Sequence, residues 1–279
     1  MTDYKAIHGK LVQSLASDPD AAAYEGQLWF NTTSLDYKTI VKVAGSWSSG
    51  GNISANKAEL GSCGTQTAGM IFGGIKPGNI DETEQYNGST WSAVGDLNTA
   101  KDQHAGSSEG TTTASLAFGG GSPSPHTATT ESFNGTSWTE VADLNTSRER
   151  LTGCGTSTAA LSIDGATVPG AGAIQRTEQW NGSSWTEVAD TSTVHYWGAA
   201  FGNTSSALVA GSNPAATHTD EWNGTAWAEA AAFSTSRVLH NAGTGGPGVE
   251  EGILMGGVPV SAVTEEWTKA TAAVTFTSS

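Results

Sequence analysis

Apolar residues in this chain fall into short runs that mostly close on glycine and return at near-regular intervals. The runs are Met70-Ile-Phe-Gly-Gly74, Leu116-Ala-Phe-Gly-Gly120, Leu161-Ser-Ile-Asp-Gly165, Leu208-Val-Ala-Gly211 and Ile253-Leu-Met-Gly-Gly257. Behind each comes a mixed segment of the form Thr-acid-x-aromatic, reaching Tyr86, Phe133, Trp180, Trp222 and Trp267. Four of these five continue through Asn-Gly to a second aromatic, at Trp91, Trp138, Trp185 and Trp227. Segments this short, bounded by Gly, Asn and Pro, predict strands and not helices. The Asn-Gly between the last two predicts a type I′ hairpin, in which both central residues take positive φ.

The first aromatics stand 47, 47, 42 and 45 residues apart. A period in that range marks stacked or ring-closed modules. A further segment, seen as Asn98-Thr-Ala-Lys101, Asn145-Thr-Ser-Arg148 and Ser234-Thr-Ser-Arg237, completes four per period. Four antiparallel strands per period make a propeller blade. The expected fold is therefore all-β, a five-bladed propeller of four-stranded antiparallel blades. The count follows from five first aromatics and five second ones, the earliest being Trp47. Pairing an outer strand at Ala44-Gly-Ser-Trp47 with the third strand at Trp267 closes the ring and removes its edges. Ala272-Ala-Val-Thr-Phe276 is the rival closing strand.

The ten rings (Trp47, Tyr86, Trp91, Phe133, Trp138, Trp180, Trp185, Trp222, Trp227 and Trp267) are expected to wedge between blades. Each then contributes about 1.5–3 kcal/mol by burial. The recurring acids Glu84, Glu131, Glu178, Asp220 and Glu265 are read as structural, since a position repeated in every blade serves the blade. Ahead of the propeller, assigned to 46–270, residues 1–45 form an extended polar arm with a hairpin from Leu28–Asn31 and Asp36–Val43; residues 271–279 form a C-terminal strand or tail.

Twelve basic against 27 acidic residues give a net charge of −15. Phosphate-backbone binding needs clustered Lys and Arg, so nucleic acid is not an expected partner. No run approaches the roughly 18 apolar residues of a membrane span. The N-terminus has no apolar core of the signal-peptide kind, and the expectation is a soluble chain without membrane insertion. Cys63 and Cys154 occupy matching repeat positions and are read as small buried thiols.

The pattern of glycine doublet, Glu-x-aromatic strand, turn, Trp strand and basic residue resembles kelch repeats over about residues 46–267. Residues 98–144 carry all of it in Lys101, His104, Gly119-Gly120, Glu131, Phe133 and Trp138. Repeat three departs with Asp164-Gly165, repeat four with a single Gly211 and an unclear basic position near His195. A second likeness lies in Ser17-Asp-Pro-Asp20, Glu25-Gly-Gln-Leu-Trp-Phe-Asn-Thr-Thr33 and Lys38. With the blade style, this resembles attachment segments of tail-fibre and other virion structural proteins of bacteriophages, particularly marine phages of cyanobacteria and related hosts.

What that likeness implies is a virion protein present in several copies per particle. Its arm would dock to other virion proteins, and its propeller would meet a host-surface glycan or protein, or decorate tail or capsid. The alternative is a cellular kelch-repeat protein-interaction module. The six histidines are scattered, and no His-Glu-x-x-His, Cys-x-x-Cys or Gly-x-Ser-x-Gly spacing occurs. An enzyme, a metal and a cofactor are accordingly not expected. The second-to-third loops differ completely between repeats, and recognition usually lives on such loops. Lys76, His126, Arg176 and His218 are the candidate contacts they supply.

Overall fold

The computed structural model describes residues 13–16, 28–39, 49–121, 126–167, 172–212, 216–239, 243–245, 249–255, 257 and 263–269. Its contacts divide the chain into two units, Met1–Ser49 and Gly50–Ser279. In the first, β1 (Gln13–Leu15) runs parallel to β2 (Leu28–Asn31), which pairs antiparallel with β3 (Asp36–Thr39). Asn31 shapes the hairpin: its Oδ1 accepts the backbone N–H groups of Thr33 and Ser34, both at 2.9 Å. The hairpin agrees with the sequence; the parallel β1 carries too short a pattern to be seen there. Residues 40–43 of the expected second strand lie outside the described residues, as does Trp47.

The second unit is a propeller-like series of up-and-down antiparallel sheets with no helix among the described residues. The first sheet holds β4 (Gly61–Thr65), β5 (Ala68–Phe72), β6 (Thr83–Tyr86) and β7 (Trp91–Ala93). The second holds β8 (Ala105–Gly106), β9 (Ser115–Phe118), β10 (Thr130–Phe133) and β11 (Trp138–Val141). The third holds β12 (Thr152–Gly155), β13 (Ala160–Ile163), β14 (Thr177–Trp180) and β15 (Trp185–Glu187). The fourth holds β16 (Ala199–Asn203), β17 (Ser206–Ala210), β18 (Thr219–Trp222) and β19 (Trp227–Glu229).

The expected count of five such blades is corrected to four. The next sheet has three strands, β20 (Gly243–Gly245), β21 (Glu251–Met255) and β22 (Thr264–Thr268), and ends at the strand bearing Trp267. The period continues through its third strand, which is why counting first aromatics gives one blade too many. Both segments expected to supply a closing strand, 44–47 and 272–276, lie outside the described residues.

The cores lie between successive sheets. Met70 and Phe72 of the first sheet meet Ala117, Phe133 and Trp138 of the second. Leu116 and Phe118 meet Ala160, Trp180 and Trp185 of the third. Leu161 and Ile163 meet Val209, Trp222 and Trp227 of the fourth. Six of the ten rings, Phe133, Trp138, Trp180, Trp185, Trp222 and Trp227, lie in these cores, each no more than 9% exposed. Tyr86, Trp91 and Trp267 are only half-buried. The indoles also stitch neighbouring sheets: Trp138, Trp185 and Trp227 donate from Nε1 to Thr83, Thr130 and Thr177 at 3.0, 3.0 and 3.1 Å. Cys154 is fully buried, whereas Cys63 is partly exposed, so the buried-thiol reading is corrected for one of the two.

The turn chemistry differs from expectation. Gly88, Gly135, Gly182 and Gly224 take φ of 91–96°, but the preceding Asn87, Asn134, Asn181 and Asn223 do not take positive φ. A type I′ turn is therefore excluded. Instead the loop is four residues long, and the Asn side chain caps it: Asn87 Oδ1 accepts N–H from Ser89 and Thr90 at 3.0 and 2.9 Å. Asn acts through its carbonyl, as in an Asx turn, and not through left-handed backbone. The glycine doublets do need that backbone, with φ of 61° and 97° at Gly73 and Gly74, and 65° and 104° at Gly119 and Gly120.

Candidate functional site

Each sheet of the second unit is fastened internally by a clip, a base facing an acid. Lys101, wholly buried ahead of β8, stands 3.2 Å from Glu131 on β10. Arg148 stands 3.1 Å from Glu178, and Arg237 2.6 Å from Glu265. The same carboxylates accept the backbone N–H groups of Asn98, Asn145 and Ser234 at 2.6, 2.7 and 2.6 Å. Facing each carboxylate with a cation on one oxygen and backbone donors on the other offsets the cost of burying its charge. Burial pushes Glu265 up, but Arg237 and the Ser234 donors outweigh it and bring the carboxyl down to about 2.

Two clips were not legible. In the first sheet Lys57 lies 2.5 Å from Glu84, whose carboxylate also accepts Ser54 N–H at 3.0 Å. Its spacing to the acid, close to that of Lys101 to Glu131, is the signal that would have found it. In the fourth, His195 takes the basic position, with Nε2 2.9 Å from Asp220 Oδ2 and Nδ1 3.0 Å from the Gly211 carbonyl. Asp164, which replaces a doublet glycine and keeps its left-handed φ at 51°, accepts His195 N–H at 2.7 Å. The two departures in the repeats therefore belong to one contact. Burial raises the Asp164 carboxyl to about 6 despite the opposing pull of His195.

The four sequence candidates sit apart, each on its own repeat. Lys76 is held by Glu82 at 2.6 Å and is one-third exposed. His126 is half-buried, and residues 122–125 before it are outside the description. Arg176 donates to Thr146 Oγ1 at 2.5 Å and lines an open cavity of about 450 Å³ with Asp190 and Thr191. His218 is exposed. No hydrogen bond or ion pair joins any two of the four among the described residues.

A different set does converge. Two residues beyond the basic position of the four complete blades stand Glu59, Gln103, Arg150 and Trp197, with φ of 57°, 50°, 57° and 59°; Leu239, two beyond Arg237 in the three-stranded sheet, has no left-handed backbone. Left-handed backbone at a non-glycine residue is unfavourable by about 1–2 kcal/mol, and such strain gathers at functional positions. Backbone bonds link the set: Arg150 N–H to Gln103 O and Trp197 N–H to Arg150 O, both 2.8 Å. Arg150 Nε donates to Gln103 Oε1 at 2.8 Å, and its guanidinium lies 4.6 Å over the Trp197 ring. Tyr196 and Trp197 have ring planes within 11° of parallel.

These four side chains rim a cavity of about 340 Å³ that is also lined by Ala58, Leu60, His104 and Leu151. It shares Leu60 and His104 with a narrower cavity of about 60 Å³ walled by Gly61, Gly106, Thr152, Gly153 and Ala200, from the innermost strands. The pair forms a funnel along the propeller's inner strands. Asp102 lies nearby, and burial followed by repulsion from Glu59 raises its carboxyl to about 6. At each rim position all four repeats share geometry and differ in chemistry, which no local motif announces.

His104 forms the funnel's waist and is 1% exposed. Neither ring nitrogen has a partner of hydrogen-bond geometry among the described residues, the Phe72 carbonyl offering only a weak backbone contact. Burial, and then the Lys101 ammonium, push its imidazole down to about 3. Between about 6.5 and 3 the unfolded chain takes up a proton that the folded one refuses. The stability held at neutral pH is therefore lost as pH falls through that window. The destabilisation caused by His104→Gln is expected to shrink by about 2–3 kcal/mol between pH 7 and pH 4. Urea titrations of both proteins at the two pH values check this, and an unchanged gap contradicts a neutral buried imidazole.

No protein-family model matches the chain, and no curated protein matches it. Among the described residues no helix is long and apolar enough to cross a membrane.

Proposed function

We propose that the chain is a non-enzymatic bacteriophage virion structural protein whose kelch-like propeller meets a host-surface glycan or protein. The observation that carries a binding role is the contrast between two classes of repeated position. Clip positions keep a base facing an acid and wedge positions keep an aromatic ring from sheet to sheet, whereas the rim position holds an acid, an amide, a guanidinium and an indole. A scaffold whose clips and wedges recur while its rim changes from blade to blade is built to present that rim. The virion assignment is supported by the N-terminal resemblance, in Glu25-Gly-Gln-Leu-Trp-Phe-Asn-Thr-Thr33 and its neighbours. In this reading residues 1–45 dock to other virion proteins and the protein resides in the particle in several copies, on tail or capsid. Lys76, His126, Arg176 and His218 form an outer ring of contacts on the variable loops.

Deleting residues 1–43 is expected to leave a folded propeller, with unchanged near-ultraviolet circular dichroism, that no longer joins the particle. Protein blots of purified particles measure this. Undiminished incorporation of the folded, shortened chain overturns the docking role.

A further inference from the structure

We propose that the mouth of the funnel is a carbohydrate site that takes one neutral hexose unit. This deepens the adhesion reading and rests on it for its biological meaning. Its volume of about 340 Å³ lies at the low end of the roughly 300–1,000 Å³ of small-ligand pockets. The site therefore suits a single small unit and not a folded surface. Glu59 lines the cavity, and its Oε2 is buried without a hydrogen-bond partner among the described residues. A buried carboxylate oxygen left so is unfavourable, and a ligand that donates to it relieves the deficit.

His104, 1% exposed and neutral at pH 7, also lines this cavity, and its ring nitrogens lack a partner of full hydrogen-bond geometry among the described residues. Gln103 adds an amide and Arg150 a fork of donors, held by the bond between them. A ligand satisfying this set must both donate and accept at closely spaced points, which is the chemistry of adjacent hydroxyl groups. Trp197 supplies the apolar wall against which the C–H face of a sugar ring packs.

Charge decides against the competing ligand classes. Glu59 and Arg150 both line the cavity, Glu149 sits 3.3 Å from Arg150, and Asp102 lies close enough to Glu59 and Glu149 to feel both charges. An anion meets more like charge than unlike there. A primary ammonium would satisfy Glu59 but would face the Arg150 guanidinium and leave His104 and the amide unused. A neutral polyol meets neither conflict.

The test is saturation-transfer NMR on the purified full chain with methyl glucoside, methyl mannoside, methyl galactoside and N-acetylglucosamine, alongside Nα-acetyl-lysine amide. At least one sugar is expected to give transfer. The variant Glu59→Gln, which keeps size and backbone, is expected to weaken it by about tenfold or more, as is Trp197→Ala. Binding that both variants retain undiminished overturns the placement. Transfer to the lysine derivative alone overturns the sugar assignment, as does silence from every sugar. Adsorption of particles carrying Glu59→Gln to host cells separates the two readings. Sugar silence with normal wild-type adsorption removes this site and leaves adhesion standing. Sugar binding lost in Glu59→Gln with unchanged particle adsorption keeps the site and removes adhesion through it.

Discussion

Arg148→Leu is expected to destabilise the protein by about 3–5 kcal/mol, the loss typical of a buried ion pair deprived of one partner. The side chains of Arg148 and Glu178 are both 0% exposed and 3.1 Å apart. Arg148 Nη2 also donates to Ser162 Oγ at 2.8 Å, so leucine orphans a hydroxyl as well as an anion. Adding Glu178→Leu removes the stranded charge and is expected to recover part of the loss. Recovery stays incomplete because Asn145 N–H and Nδ2 then lose their acceptor at 2.7 Å. The one-third exposed Lys76–Glu82 pair makes the comparison: Lys76→Ala is expected to change stability by less than about 1 kcal/mol. Urea unfolding of the four proteins supplies the measurement. Equal effects for Arg148→Leu and Lys76→Ala sink the claim that burial is what makes the clips matter.

Trp185→Ala is expected to produce a loss of similar size, about 3–5 kcal/mol. The indole is 5% exposed, packs 4.9 Å from the Phe118 ring of the preceding sheet, and donates to Thr130 across the interface. Trp185→Phe keeps a ring in the gap but leaves the Thr130 hydroxyl without its donor, for an expected loss nearer 1–2 kcal/mol. Trp91, half-buried and bonded to the Gly51 carbonyl at 3.1 Å, gives the contrasting site. A denaturation midpoint that falls no further for Trp185→Ala than for Trp91→Ala refutes the wedge role of the second aromatics.

Much of this architecture can be read from residue types because period-2 strands and inter-sheet rings leave strong local signatures. The acids on the third strands, read as structural, do lie in structural clips. The blade count failed because aromatics mark third strands whether or not a fourth follows. The hairpin type failed because Asn-Gly serves two turns, and the four residues between Tyr86 and Trp91 leave room for the Asn side chain to cap. The rim was invisible for another reason. Glu59, Gln103, Arg150 and Trp197 share no chemistry, and a left-handed φ at a non-glycine residue leaves no mark on composition. Only the constant offset from the clip base betrays them, and in the first and fourth sheets that base itself went unrecognised.

The clips act inside a sheet and the indoles between neighbours, so disturbance at one rim residue has few routes to the next but one. Within the rim, Arg150 is the hub, bonded to Gln103 and lying over Trp197, so a change there is felt by both neighbours. The clips and wedges stand apart from that coupling, so the rim can change its chemistry while the frame that carries it stays as it is.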